Sequence, residues 1–322
     1  MVRIAKRRLK GRTYYYLEHT SRHKGKRVTR KRYLGSELPK DIDDIRKSFL
    51  SELNDEKWFD DFERIKRRYS VELKSTPKSA REKALREFSV RFTYDTQRIE
   101  GSTLTLRETA DLIEHRISPS GKPIGDAKEA EAHDKLFREM LEFRGDLSQE
   151  LVQEWNWKLL KETKPDVAGK IRRHGVRISG SRFIPPAPVE LQPMLNDLFD
   201  WYRGSKSKAN PVELAGLLHL KFVTIHPFAD GNGRVSRLMM NFVLQKGGYP
   251  MLNIEYNRRT DYYHALERSQ INHDERPFVN WFFRRYKREF SRYLVRDEVC
   301  LSWTWSHSSL SPVLRTIFAF KS

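Results

Sequence analysis

From Asp41 onward the apolar residues recur every three to five positions. Ile42, Ile45, Phe49, Leu53, Trp58, Phe62 and Ile65 form one such series, the spacing that keeps side chains on one face of a helix. The run SAREKALREFSVRFTYDTQRIEG predicts a second helix, with Gly101 as its stop. Similar patterns predict helices at about 105–117, 127–144, 148–162, 188–203, 209–226, 232–246, 259–272 and 275–295. Two stretches alternate instead. RTYYYLEHT and KRVTRKRYLG are β-prone and flank HKGK, which supplies a turn glycine, so they predict a hairpin. VRISGSRFIPP, at 176–186, predicts a shorter hairpin around Ser179 to Ser181. The fold class is therefore mainly α, with a small β-hairpin at the N-terminus and another in the middle. The segments divide as 1–40, a basic hairpin; 41–84, a helical N-terminal region; 85–295, the core; and 296–322, a tail that fits no regular pattern.

Composition adds limits. The chain has 322 residues, 38% apolar and 33% charged, a mixture suited to a folded chain with a wet surface. No apolar run approaches the roughly 18 residues of a membrane span, and Tyr14 to Leu17 is too short for the apolar part of a signal peptide. The expectation is a cytoplasmic protein with no membrane partner. Cys300 is the single cysteine, so no internal disulfide forms, and no Cys/His cluster has zinc spacing. The net charge is +19. Residues 1–40 carry fourteen lysines and arginines against Glu18 and Glu37, a net of +12. Such a field attracts anions. It is equally the surface of a well-solvated segment, and nucleic-acid contact there is left open. Tyr14, Tyr16 and Val28 would share apolar faces with Tyr33 or Leu34. Tyrosines among basic residues can stack on bases or pack on a neighbouring domain.

One stretch points to chemistry: His226-Pro227-Phe228-Ala229-Asp230-Gly231-Asn232-Gly233-Arg234-Val235-Ser236-Arg237. An apolar helix runs into His226, and Pro227 forbids its simple continuation. DGNG makes a tight turn that tolerates positive φ, and a second helix starts at its end. Backbone amides of the turn and of the first helical turn then converge on one concavity, a nest suited to phosphate. Arg234 and Arg237 are three apart, so both can face one side, and guanidinium forks match phosphate oxygens. Asp230 is suited to Mg²⁺, which takes few carboxylates plus phosphate and water. His226 stands at the rim, where an imidazole can take a proton near neutral pH. Each feature alone has a structural explanation; it is their combination that carries the reading.

HPFADGNGRVSR resembles the Fic family motif HPFx(D/E)GNGRxxR at every specified position, and the likeness extends over roughly residues 85–285. The resemblance implies a Fic-type helical core, with the 176–186 hairpin (Ile178, Ser179, Gly180, Ser181) as a flap over the site. It implies transfer of AMP from ATP to Ser, Thr or Tyr hydroxyls of a protein, with Mg²⁺. His226 would be the general base, Asp230 the Mg²⁺ ligand, and Gly231, Asn232 and Gly233 the anion hole. Arg234 and Arg237 would hold phosphates, with Ser236 among the nucleotide-contacting residues. Doc-type kinases of the superfamily carry lysine at the position of Gly233, so glycine there favours AMP over phosphate transfer. Thr96-Gln97-Arg98-Ile99-Glu100-Gly101 resembles the family's inhibitory pattern (S/T)xxxE(G/N), in which the glutamate pairs with the second motif arginine and displaces the γ-phosphate. Tyr262, Tyr263 and Gln270 fall where the base would sit; relatives often have asparagine at the last.

The partner implied is a protein bearing the target hydroxyl, with self-modification as a second outlet and oligomerisation left open. Two other functions fit the sequence. Glu100 could position a water that removes AMP from a modified protein. Alternatively, the basic N-terminus could be the working end of a DNA-binding regulator.

Overall fold

The computed structural model describes residues 2–9, 11–23 and 26–295; the tail expected at 296–322 lies outside the described residues.

The N-terminus is a three-stranded antiparallel sheet in the order β1 (Val2–Leu9), β2 (Arg12–His23), β3 (Lys26–Gly35). The sequence pattern found only β2 and β3. Four of the eight residues of β1 are basic and only Val2 and Ala5 are partly covered, so main-chain pairing rather than an apolar alternation makes this strand. β2 and β3 slip register between Tyr15 and Tyr16, which face Gly35 and Tyr33. The bulge leaves Leu34 as the extra residue, buried with Leu17 against Phe49. Phe49 belongs to α1 (Ile42–Ser75), whose 34 residues extend about 50 Å at ~1.5 Å each. Its first half covers the sheet. Farther along, Phe62 and Ile65 enter the main core, where Phe62 meets Phe283 at 5.0 Å and Tyr286 at 5.5 Å between ring centres.

Two apolar helices run through the main core: α7 (Pro211–Ile225) and α8 (Asn232–Lys246). Asn210 caps α7 by accepting from the Val212 amide at 2.9 Å, with Pro211 at the first helical position. Around them pack α2 (Lys78–Ile99), α4 (Ile124–Glu142), α5 (Gln149–Leu160), α6 (Pro188–Ser205), α9 (Arg259–Asn272) and α10 (Arg276–Glu289). Thr105 and Glu108 form a capping box at the start of α3 (Leu106–His115), which rests on α2 and α4 through Leu104, Leu112 and Ala130. Among the described residues, no helix is long and apolar enough to cross a membrane.

The second expected hairpin is not a ladder. Residues 176–186 run extended through one turn at Ser179–Gly180, without strand pairing. Gly180 has φ +75°, and the turn closes with the Ser181 amide donating to the Ile178 carbonyl at 3.1 Å. Pro185 and Pro186 supply no donors, so one arm cannot complete a ladder.

Two histidines are locked inside this core. His133 meets Thr93 Oγ1 at 2.9 Å and lies against Phe92; His219 meets the Tyr262 hydroxyl at 2.9 Å and stacks on Phe278. Burial, reinforced by the charge of Arg237, pushes both imidazoles down to about 3. The folded state thus refuses a proton that the unfolded chain accepts near 6.5. Stability is fully present above that value and is lost as pH falls towards 3. At pH 5 each histidine costs about 2 kcal/mol, roughly 4 kcal/mol together. Urea unfolding at pH 7 and pH 5 measures this, and replacing both histidines by glutamine should flatten the difference.

Candidate active site

The sequence folds the motif into a helix–loop–helix corner. α7 ends on His226, which adopts the left-handed conformation (φ +51°, ψ +56°) and donates its amide to the Phe222 carbonyl at 3.0 Å. This geometry turns the chain at Pro227. The imidazole Nδ1 is 3.3 Å from the Val223 carbonyl. A carbonyl only accepts, so Nδ1 carries the proton and Nε2 keeps its lone pair. Burial lowers the proton affinity of His226 below the usual imidazole value; Glu100 and Asp230 oppose this and Arg172 adds to it. The ring is therefore neutral at physiological pH.

The loop is held by Asn232, whose side chain accepts from the Phe228 amide (2.9 Å) and donates to the Phe228 carbonyl (2.8 Å). Gly231, at φ +82°, lets the chain enter α8. The first-turn amides of Asn232, Gly233 and Arg234 have no preceding helical carbonyl to meet. Ser236 does not join them. Its buried hydroxyl donates to the Gly233 carbonyl at 2.8 Å. Its place in the helix, one residue short of Arg237, turns it into the core.

Four charged groups close a ring beside the turn. Arg234, 2% exposed, donates to Asp230 Oδ1 at 2.8 Å and to Glu129 Oε2. The Lys164 ammonium bridges Asp230 Oδ2 and, at 3.5 Å, Glu129 Oε1. Burial alone would raise the affinity of Asp230 for a proton, but Arg234 and Lys164 outweigh it and hold the carboxyl below its usual range.

Arg237 is the other buried guanidinium, 1% exposed on its side chain. Its Nη2 donates to Glu100 Oε1 at 2.6 Å and to the Thr96 carbonyl at 3.2 Å, and its Nε donates to Thr96 Oγ1. The TQRIEG segment ends α2 here, with Glu100 as the cap and Gly101 at φ +101°. The Glu100 carboxylate comes so close to α8 that a Cβ at Gly233 would stand 2.2 Å from its Oε1.

The residues expected at the base divide. Tyr263, 42% exposed, donates its hydroxyl to the Ile99 carbonyl at 2.9 Å, tying α9 to the end of α2. Tyr262 is a core residue instead, 2% exposed, its hydroxyl on His219 and its ring against Phe278 and Trp281. Adjacent helical positions point about 100° apart, so one tyrosine faces out and the other in. Gln270 is buried and lines a cavity of about 450 Å³ with Leu220, Thr224 and Ile225. In the extended segment, Ser179 and Gly180 are exposed and Ile178 partly covered. Ser181 Oγ and the Arg182 amide donate to Glu267 Oε1 at 3.1 and 2.6 Å, fastening the segment to α9.

Several residues of the corner have no motif to announce them. Arg172, 3% exposed, donates to the carbonyls of His226 (2.8 Å), His174 (2.9 Å) and Pro186 (2.7 Å), joining the histidine to both roots of the extended segment. Asn156 donates to the Asp230 carbonyl at 2.9 Å and accepts from the Gly169 amide at 2.8 Å. Gln97 Oε1 accepts from Arg234 at 3.3 Å.

The corner thus places one histidine and two buried guanidiniums beside the start of α8. Residues 146–244 match the model of the Fic/DOC family, and the chain belongs to that family. It is 32% identical over 223 residues to a protein of Nematostella vectensis named protein adenylyltransferase Fic, covering 67% of this chain and 51% of that protein. The chain thus spans about half the length of the curated relatives it matches. Among solved structures it resembles Fic-1 (residues 134–508) from C. elegans, with TM-score 0.68, 27% identity and coverage of 78% of this chain and 74% of that one. A Fic-domain signalling protein from Bacteroides thetaiotaomicron gives TM-score 0.65 at 26% identity, covering 73% and 96%.

Proposed function

We propose that this protein transfers AMP from ATP to hydroxyl side chains of proteins and that Glu100 holds it back. The observation that carries this reading is the placement of His226, its Nδ1 on the Val223 carbonyl and its Nε2 left for a substrate, in the same corner as the α8 amides, Arg234 and Arg237. The target hydroxyl oxygen attacks the α-phosphorus in line with the departing pyrophosphate. The new O–P bond forms as the α–β bridging bond breaks, and His226 Nε2 takes the hydroxyl proton. Arg237, once released from Glu100, meets the γ-phosphate, while the amides of Asn232 and Gly233 and the Arg234 side chain receive the remaining phosphate charge. The extended segment at 176–186, exposed at Ser179 and Gly180, is where an extended target peptide would add as a strand, which needs little side-chain complementarity.

The residues present fit Mg²⁺. Asp230 is one partly exposed carboxylate that already holds a cation, the Lys164 ammonium, on Oδ2, and Mg²⁺ takes few carboxylates beside phosphate. When bound, the ion supplies neutralisation of phosphate charge. Lys164 must leave Asp230 to admit it. Lys164→Met should therefore raise the affinity of the nucleotide-free protein for Mn²⁺ by about tenfold, the worth of one half-exposed ion pair. Electron paramagnetic resonance of unbound Mn²⁺ measures this, and unchanged affinity would exclude Lys164 as the competitor.

Incubation with α-labelled ATP and Mg²⁺ tests the activity itself. Label is expected on the protein or on added protein, and γ-labelled ATP should leave none. The reverse pattern would indicate phosphate transfer.

A further inference from the structure

We propose that the outer face of the N-terminal sheet is a docking surface for duplex DNA. The strand register places Arg3, Arg7, Arg12, Arg27 and Lys31 on one face, because Arg3 and Lys31 both stand opposite Glu18 and successive residues alternate. The other face is taken up by Leu17 and Leu34 packing on Phe49. The cations of the outer face are open: the side chains of Arg3, Arg7 and Lys31 are 71%, 47% and 41% exposed. Glu18 lies beneath them, 5% exposed, at 2.7 Å from Arg7, 3.3 Å from Arg3 and 3.9 Å from Lys31. One buried carboxylate neutralises part of the repulsion among three cations and fixes where they stand, yet is itself shielded from an approaching polyanion. The first forty residues keep a net +12, so the surface complements phosphate.

The aromatic residues favour a duplex over a single strand. Tyr33 packs on Tyr14 and Tyr16 with ring centres 6.1 and 5.4 Å apart, and the Arg7 guanidinium covers Tyr16 at 5.6 Å. Tyr14 and Tyr16 are half-buried in this cluster, so of the three only Tyr33, 56% exposed, stands open, whereas a single strand stacks successive bases on several rings. Shape favours DNA over double-stranded RNA. The roughly 12 Å major groove of B-DNA admits a two-stranded β-ribbon, so two neighbouring strands of this face can enter it, whereas the major groove of A-form RNA is too narrow for side chains to read. The proposal is independent of the nucleotide site.

The test is fluorescence anisotropy of the full chain with a labelled random-sequence duplex of about 20 base pairs, its single strand, and the RNA duplex of the same sequence. With about four phosphates engaged, affinity for the DNA duplex should fall about 10²-fold between about 50 and 200 mM salt, and the other two probes should bind more weakly. Arg12→Ala with Arg27→Ala leaves the three Glu18 pairs intact and should reduce the salt slope by about two. No binding, salt-independent binding, equal or tighter binding of the single strand or RNA duplex, or an unchanged slope in the double variant would each overturn the proposal.

Discussion

Alanine at position 226 should lower the rate of AMP transfer by about 10²–10⁴-fold while ATP still binds. The loss is that of a general base, and the selectivity comes from the geometry. His226 Nδ1 is committed to the Val223 carbonyl, so only Nε2 is left for chemistry, and in the proposed reaction it meets the target hydroxyl rather than phosphate. In that proposal the charge that holds ATP is carried by Arg234, Arg237 and the α8 amides, none of which the substitution removes. His226 also sits at φ +51°, a conformation alanine adopts at a cost of about 1–2 kcal/mol. His226→Asn therefore belongs beside it, since asparagine tolerates that conformation and lacks the basicity. Calorimetric titration with ATP and a rate with α-labelled ATP separate the two effects. Loss of ATP binding in a folded His226→Asn protein would show that the imidazole serves the phosphates instead.

Glycine at position 100 should raise transfer above wild type, most visibly as self-labelling. Arg237 is buried and held on two of its nitrogens: Glu100 holds Nη2, and Thr96 holds Nε and shares Nη2. A γ-phosphate brought to Arg237 meets a carboxylate already in place and of the same sign. A close charge pair in a partly wet site is worth about 1–4 kcal/mol, and each 1.4 kcal/mol is about tenfold in rate, so the gain is roughly 10- to 1000-fold. Thr96 still orients the guanidinium after the change, so Arg237 is freed without being left adrift. Glu100→Gly combined with Arg237→Ala should lose the gain. Labelling by Glu100→Gly no greater than wild type would remove the inhibitory role and point to removal of AMP, where Glu100 would be needed for turnover.

Much of this was legible because local rules and tertiary demands agree. The helices around the motif carry unbroken apolar periodicity, and α8 begins where DGNG permits it. The Glu100–Arg237 pair followed from a short pattern placed ahead of a complete motif. The residues that escaped are those whose partners are distant in the chain and whose type is common. Arg172 and Lys164 look like ordinary surface cations in a chain with 62 lysines and arginines; only folding brings one to the His226 carbonyl and the other to Asp230. Strand β1 was missed because its pairing rests on main-chain bonds, which leave no mark on side-chain pattern. Resemblance places Tyr262 at the base and Ser236 among the nucleotide contacts, but the fold turns the Tyr262 hydroxyl onto His219 and the Ser236 hydroxyl onto the Gly233 carbonyl, since neighbouring helical positions point apart.

The space between Gly233 and Glu100 also couples the two positions. With 2.2 Å from a Cβ to Oε1 and 3.1 Å to Arg237 Nη1, a methyl group at 233 collides with the carboxylate. That carboxylate is the free end of a flexible side chain, so it is the group that gives way. A side chain at 233 would wedge Glu100 off Arg237 while leaving the acid in the sequence. Bareness at one position is what lets the acid at the other reach its guanidinium.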